Sequence, residues 1–190
     1  MRQSAARSSP RPPRRPIDAA RLDALALAYA ARFAVSSAKL ADYLRRKLRT
    51  SGWEGEGEPP VAAIVARFVD AGYVDDAAYA RAKTGSMLRR GLGMRRVAQA
   101  LGAAGIGEED RADARPGLGA QRRAALALAR KRGFGPFGGK PLDRALREKQ
   151  IGALLRAGHP LDSARELVDA PGVEAAEDWA GQATEDEPCD

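Results

Sequence analysis

The sequence predicts an all-α protein built from tandem three-helix repeats. Apolar residues recur at spacings of three and four through most of the chain, and no stretch alternates with period two for long enough to make a strand. Gly52, Gly105 and Gly158 lie 53 residues apart, each four residues after a leucine: Leu48, Leu101 and Leu154. The strings "LRTSGW", "LGAAGI" and "LLRAGH" therefore mark equivalent helix ends in three units. A unit of roughly fifty residues cannot bury its apolar face alone, so neighbouring units stack to make a core. The predicted boundaries are 17–74, 75–118 and 119–171, flanked by a disordered basic arm at 1–16 and a disordered acidic tail at 172–190.

The elements follow in order. "MRQSAARSSPRPPRRP" is rich in Pro, Ser and Arg without apolar periodicity, which is the composition of a disordered arm. Asp18 is placed to cap a helix carrying Leu22, Leu25, Tyr29 and Phe33. Ser36 or Ser37 ends that helix and caps a second, with Leu40, Leu44 and Leu48 on one stripe. "GWEGEGEPP" is a glycine-broken acidic loop, and Pro59-Pro60 opens a third helix with Val61, Ile64, Val65 and Phe68 inward. Gly72 supplies the left-handed residue at its end, and Tyr73 the apolar contact that follows.

In the second unit, Asp75 or Asp76 caps a helix through Tyr79 and Met87, and the next helix carries Met94, Val97 and Leu101. "EEDRADARP" offers almost nothing apolar, so the third helix there is expected to be short or frayed. The third unit opens with the helix containing "ALALARKR", and a helix started by Pro141 follows the loop "GFGPFG". Each unit is expected to read long helix, short helix, short helix.

Charge is unevenly placed. The formal net charge is +7, with five arginines and no acid in residues 1–16 and seven acids and no base in 174–190. Residues 81–149 hold 17 Lys/Arg against six Asp/Glu, and 81–101 hold six bases and no acid. Such a field favours polyanions or acidic protein surfaces. Arg89, Arg90, Arg95 and Arg96 flank the "GLG" break, while Arg122, Arg123, Arg130, Lys131 and Arg132 edge the following long helix. Arginine offers planar, multi-donor recognition of carboxylate or phosphate, so these nine are the candidate partner- or DNA-binding residues.

Catalytic and cofactor chemistry finds little footing. "RRGLGMRR" has one Gly-x-Gly, no preceding strand and no Lys-Ser/Thr, so it reads as a break between helices and not as a phosphate cradle. "GFGPFG" fits Gly-x-Gly-x-x-Gly but follows a helix and runs into Lys140-Pro141, against both nucleotide motifs. Asp75-Asp76 suits a helix N-terminus, where two acids meet the positive end of the dipole. His159 is the only histidine and Cys189 the only cysteine, so no zinc site is expected and His159 reads as a turn or cap residue. One cysteine also fits a reducing compartment. No apolar run approaches the ~20 residues of a membrane span. A direct nucleic-acid binder would stack bases on exposed rings. Tyr29, Phe33, Tyr43, Phe68 and Tyr79 fall on or near apolar stripes, which leaves Phe134 and Phe137 as loop candidates.

The succession "VSSAKLADYLRRKL", "FVDAGYVDDAAYA", "LRRGLGMRRVAQALGAAGI", "ALALARKRGFGPF" and "REKQIGALLRAGHP" resembles the RecX regulatory proteins over roughly residues 20–170. That resemblance implies three-helix repeats stacked in an elongated, curved array. It also implies binding to the RecA recombinase filament on single-stranded DNA, restraint of filament extension, ATPase and strand exchange, and no catalysis. Arg89, Arg90, Arg95 and Arg96 match the family's basic segment. The expectation is a cytoplasmic monomer without cofactor, metal or membrane contact, touching single-stranded DNA weakly or through the filament. The alternative is a helical protein acting directly on DNA or RNA.

Overall fold

The computed structural model describes residues 15–139 and 141–183, and among them ten α-helices and one 3₁₀ turn form, with no strand. The fold is an all-α repeat array. It divides into two compact units, one ending at Val74 and the next beginning at Asp75.

The first unit holds α1 (Ala19–Arg32), α2 (Ser37–Ser51) and α3 (Val61–Asp70). Asp18 caps α1 as the sequence places it, and of Ser36 and Ser37 it is Ser36 that caps α2. Asp18 Oδ1 accepts from the Arg21 N–H at 2.7 Å, and the Ser36 hydroxyl accepts from Lys39 N–H at 3.3 Å. Such caps satisfy N–H groups the helix itself leaves unpaired, worth roughly 1 kcal/mol each. Leu22, Leu40, Leu44, Ile64 and Phe68 make the core, with Ile17 clamped beside them. Backbone bonds from Ile17 N to Gly52 O and from Glu54 N to Ile17 O, both 3.0 Å, hold the incoming chain across the end of α2. Phe33 departs from expectation. It caps α1 in extended backbone and is 51% exposed, because the helix ends before its stripe completes another turn.

The second unit holds α4 (Asp76–Arg89), α5 (Met94–Gly102), α6 (Glu108–Asp113), α7 (Leu118–Arg132), a 3₁₀ turn (Gly135–Phe137), α8 (Arg144–Ala157), α9 (Leu161–Val168) and α10 (Val173–Gln182). Val97, Leu101, Ala104 and Ile106 bury under α4, Leu154 and Val168 do the same between α8 and α9, and Leu167 packs with residues of α7 and α10. Each fully buried leucine contributes about 2 kcal/mol by removal from water. The glycine period has its physical cause here. Gly52, Gly105 and Gly158 all take positive φ (81°, 71° and 99°), the left-handed conformation that ends a helix.

Several expectations are corrected. The middle helices α2 and α8 span 15 and 14 residues, as long as the first helices, so the long-short-short pattern holds only for α4–α6. Helix α8 starts after Asp143, whose Oδ1 accepts from Leu146 N at 2.7 Å, and not at Pro141. The acidic segment from 172 is not wholly disordered. Val173–Gln182 is helical, and its Ala176, Ala180 and the following Ala183 are buried at spacings of four and three. A stripe of alanines is nearly invisible beside so many acids, yet it allows close approach to α7. Residues 184–190, and most of the basic arm expected at 1–16, lie outside the described residues.

Candidate polyanion interface

The site is built on a junction inside the second unit, where the turn between α4 and α5 meets the end of α8. Gly93 N–H donates to Ala157 O at 2.9 Å, and Arg95 N–H donates to Gly158 O at 3.3 Å. The Arg96 Nε donates to Arg156 O at 2.9 Å, and the Arg95 guanidinium donates to Leu155 O. Four successive carbonyls at the end of α8 thus receive donors from residues 93–96. The end of a helix leaves most such carbonyls without a partner (Leu155 O also accepts from Gly158 N–H at 3.0 Å), and two cations at that end match its negative dipole.

Closeness of this order requires glycine. A Cβ on Gly93 would stand 2.4 Å from the Gly158 carbonyl, and one on Gly91 would stand 2.9 Å from Leu128 Cβ. His159 completes the junction. It is buried, and its Nε2–H donates to Gly91 O at 3.0 Å, since a carbonyl can only accept. Burial holds the imidazole pKa below its ordinary value, with the Gly91 bond opposing. His159 is therefore a tie between repeats and more than a local turn residue.

Beside the junction lies a cleft of about 400 Å³. Arg90, Arg96, Lys131, Arg132 and Arg156 line it around an apolar floor of Leu92, Leu128, Ala153 and Ala157. A neighbouring cavity of about 540 Å³ shares Arg132, Phe134 and Arg156 and adds Lys149 and Phe137. Among the described residues no acid lines either, and the shared wall joins the two into one cationic trough with aromatic edges. Like charges facing one another across low-dielectric walls repel, and a bound polyanion relieves that repulsion.

The nine residues singled out from sequence separate into groups. Arg90, Arg96, Lys131 and Arg132 converge on the cleft. Arg89 and Arg123 are exposed outside it. Arg95 is committed to the α8 carbonyl. Arg122 donates to Trp179 O at 3.0 Å with its guanidinium 4.9 Å from the Trp179 ring, and Arg130 pairs with Glu177, so both face α10. Sequence reasoning missed Arg156 and Lys149. Their signal is the spacing Lys149, Ala153, Arg156 on α8, opposite the buried Ile151 and Leu154.

The remaining motifs are structural. Asp75 caps α4 through a 2.7 Å bond from Ala78 N–H. In "GFGPFG", Gly135 N–H is taken by Gln150 Oε1 at 2.7 Å, and a Cβ at Gly135 would lie 2.6 Å from Leu167 O. That backbone faces protein and offers no open phosphate cradle. Lys140 lies outside the described residues. Among the described residues no group of three or more His, Cys, Asp or Glu could hold a metal ion, and no helix is long and apolar enough to cross a membrane.

Fold and cleft together define a three-helix-repeat protein with a cationic trough. A model of the second three-helix domain of RecX matches residues 75–114, which are α4 to α6. Regulatory protein RecX of Myxococcus xanthus (strain DK1622) is 33% identical over 172 residues, covering 84% of this chain and 91% of that protein. The crystal structure of RecX from Lactobacillus salivarius aligns with a TM-score of 0.62 at 18% identity, over 86% of this chain and 97% of that one. Another crystal structure of a regulatory protein RecX aligns with a TM-score of 0.61 at 25% identity, over 79% and 72% of the two chains. The chain belongs to the RecX family of regulatory proteins.

Proposed function

We propose that this protein binds the RecA recombinase filament on single-stranded DNA and restrains its extension, ATPase and strand exchange, acting as a non-catalytic cytoplasmic monomer. Membership of the RecX family supports the regulatory role. The observation that carries the binding mode is the trough itself: Arg90, Arg96, Lys131, Arg132, Arg156 and Lys149 with no acid among the lining residues. Its chemistry suits a continuous polyanion, whether a phosphodiester strand or an acidic stripe of the recombinase. Long-range attraction from such a trough speeds encounter as well as holding the complex.

The test is the recombinase ATPase on single-stranded DNA with wild-type protein and with Arg90→Glu/Lys131→Glu/Arg132→Glu. These three line the cleft, and none donates to the α8 carbonyls, so helicity should persist. Exposed charge reversals usually shift stability by about 0.5 kcal/mol or less each. Inhibition is expected to be lost. A folded triple variant that inhibits as well as wild type removes the trough from the binding surface. Tight, recombinase-independent DNA binding at physiological salt would instead favour direct action on nucleic acid, a reading to which Phe134 and Phe137 at the trough edge lend weight.

A further inference from the structure

The first unit carries a second surface, distinct in chemistry from the trough. Tyr29 of α1 and Tyr43 of α2 stack with ring centroids 4.0 Å apart and planes 2° from parallel. Phe33 tilts against Tyr29 at 5.5 Å, with about half its surface in solvent. Cations border the rings: the Arg32 guanidinium is 5.6 Å from the Phe33 centroid, the Arg46 guanidinium 5.7 Å and the Lys47 ammonium 5.3 Å from that of Tyr43. Tyr29 and Tyr43 rest on the core while Phe33 stands beyond it, so a rigid base carries an open ring.

We infer that this Tyr29–Phe33–Tyr43 platform, with Arg32, Arg46 and Lys47, is a binding site for single-stranded nucleic acid. An unpaired base stacks on the open Phe33 ring while the cations take the flanking phosphates. Three observations favour this occupant over an acidic protein surface. The stacked Tyr29–Tyr43 pair already holds the tilted Phe33 ring in place, so a base meets a pre-formed surface and immobilises little. The cations lie within reach of ring faces, the geometry in which arginine and lysine accompany stacked bases. The acid nearest along α2, Asp42, is paired with Arg45 at 3.3 Å, and among the described residues no ion pair joins Arg32, Arg46 or Lys47 to an acid.

The platform belongs to the first unit and the trough to the second, so it stands independently of the recombinase role. The experiment uses the full chain without recombinase. Fluorescence anisotropy with a labelled oligo(dT) and with an abasic strand of equal length is measured at two salt concentrations. Phe33→Ala should weaken oligo(dT) binding about tenfold and leave the abasic strand unchanged, because only stacking is lost. Phe33→Trp should bind oligo(dT) at least as tightly as wild type. Arg46→Glu/Lys47→Glu should weaken both strands and flatten the salt dependence, since single strands release about 0.7 counterion per phosphate contact.

Equal oligo(dT) affinity in Phe33→Ala and wild type overturns the inference. So does wild-type protein that binds the abasic strand as tightly as oligo(dT), which would make the patch a general surface for anions or acidic proteins. A protein without effect on recombinase ATPase can still pass this test, and an inhibitor can fail it.

Discussion

Replacing Gly93 by alanine tests the junction on which the trough is built. Gly93 has φ −86°, which alanine adopts freely, so any cost comes from space alone. The added methyl would stand 2.4 Å from both the carbonyl carbon and oxygen of Gly158 and 2.5 Å from His159 N. All three are backbone atoms, which cannot rotate away as a side chain can. The turn must therefore retract by about an ångström, judged against the ~3.5 Å of ordinary contact. Overpacking of this kind costs about 1–3 kcal/mol. Retraction also stretches the Gly93–Ala157 bond and the His159–Gly91 bond, now 2.9 and 3.0 Å. Each contributes about 1 kcal/mol. With both bonds lost the expected total is about 3–5 kcal/mol, read as a lower midpoint in urea by circular dichroism. Gly181→Ala is the control: it sits in α10, where an added methyl would meet nothing within 4 Å, and it should gain stability by about 0.5–1 kcal/mol. If Gly93→Ala unfolds within about 0.5 kcal/mol of wild type, the repeats are not locked through this turn.

Other outcomes follow from the same contacts. His159 is the only histidine, and burial lowers its pKa, so the unfolded chain binds its proton more readily. Stability is then full above the unfolded value near 6.5 and declines as pH falls through and below it toward the folded value. Urea midpoints at pH 7.5 and 5.5 should show that decline, and His159→Gln should largely remove it. Trp179→Ala should release α10 from α7, costing about 1–3 kcal/mol through the lost Arg122 stack and ring burial, with faster proteolysis after residue 171 as the readout. Asp169 is held below its usual pKa by its bonds from Arg147, so that pair should stabilise the protein above the ordinary aspartate range and fade as pH falls through the depressed value. Asp169→Asn should remove this acid-limb contribution.

What could be read from sequence was what local physics decides. A chain leaving a helix often needs a residue of positive φ, so three glycines at one period announced three equivalent helix ends before any contact was known. Capping needs a short oxygen-bearing side chain one step before the first turn, which placed Asp18 and narrowed the next two caps to Ser36 or Ser37 and Asp75 or Asp76, of which Ser36 and Asp75 cap. Helix α10 escaped because alanine gives a weak hydrophobic signal, and Trp179 stood among acids that suggested a solvated tail. The junction escaped for a different reason. Arg96 finds its carbonyl acceptor 60 residues away, and His159 its acceptor 68 residues away, separations that no window of local periodicity spans.

That difference changes how the arginines around "GLG" must be treated. Arg89, Arg90, Arg95 and Arg96 look equivalent in sequence and all are exposed, yet only the latter two donate to the end of α8. Reversing all four charges would remove donors from two helix carbonyls and place two acids at the negative end of a helix dipole, which is unfavourable by about 0.3–1 kcal/mol each. Loss of inhibition in such a variant could then come from a loosened junction as readily as from a lost contact. Reversing Arg90 with Lys131 and Arg132 leaves the carbonyl bonds in place and changes only the trough. If the trough binds the filament, that triple variant loses inhibition while its urea midpoint stays near wild type. A paired Arg95→Glu/Arg96→Glu variant should instead lower the midpoint, and the two readouts should separate.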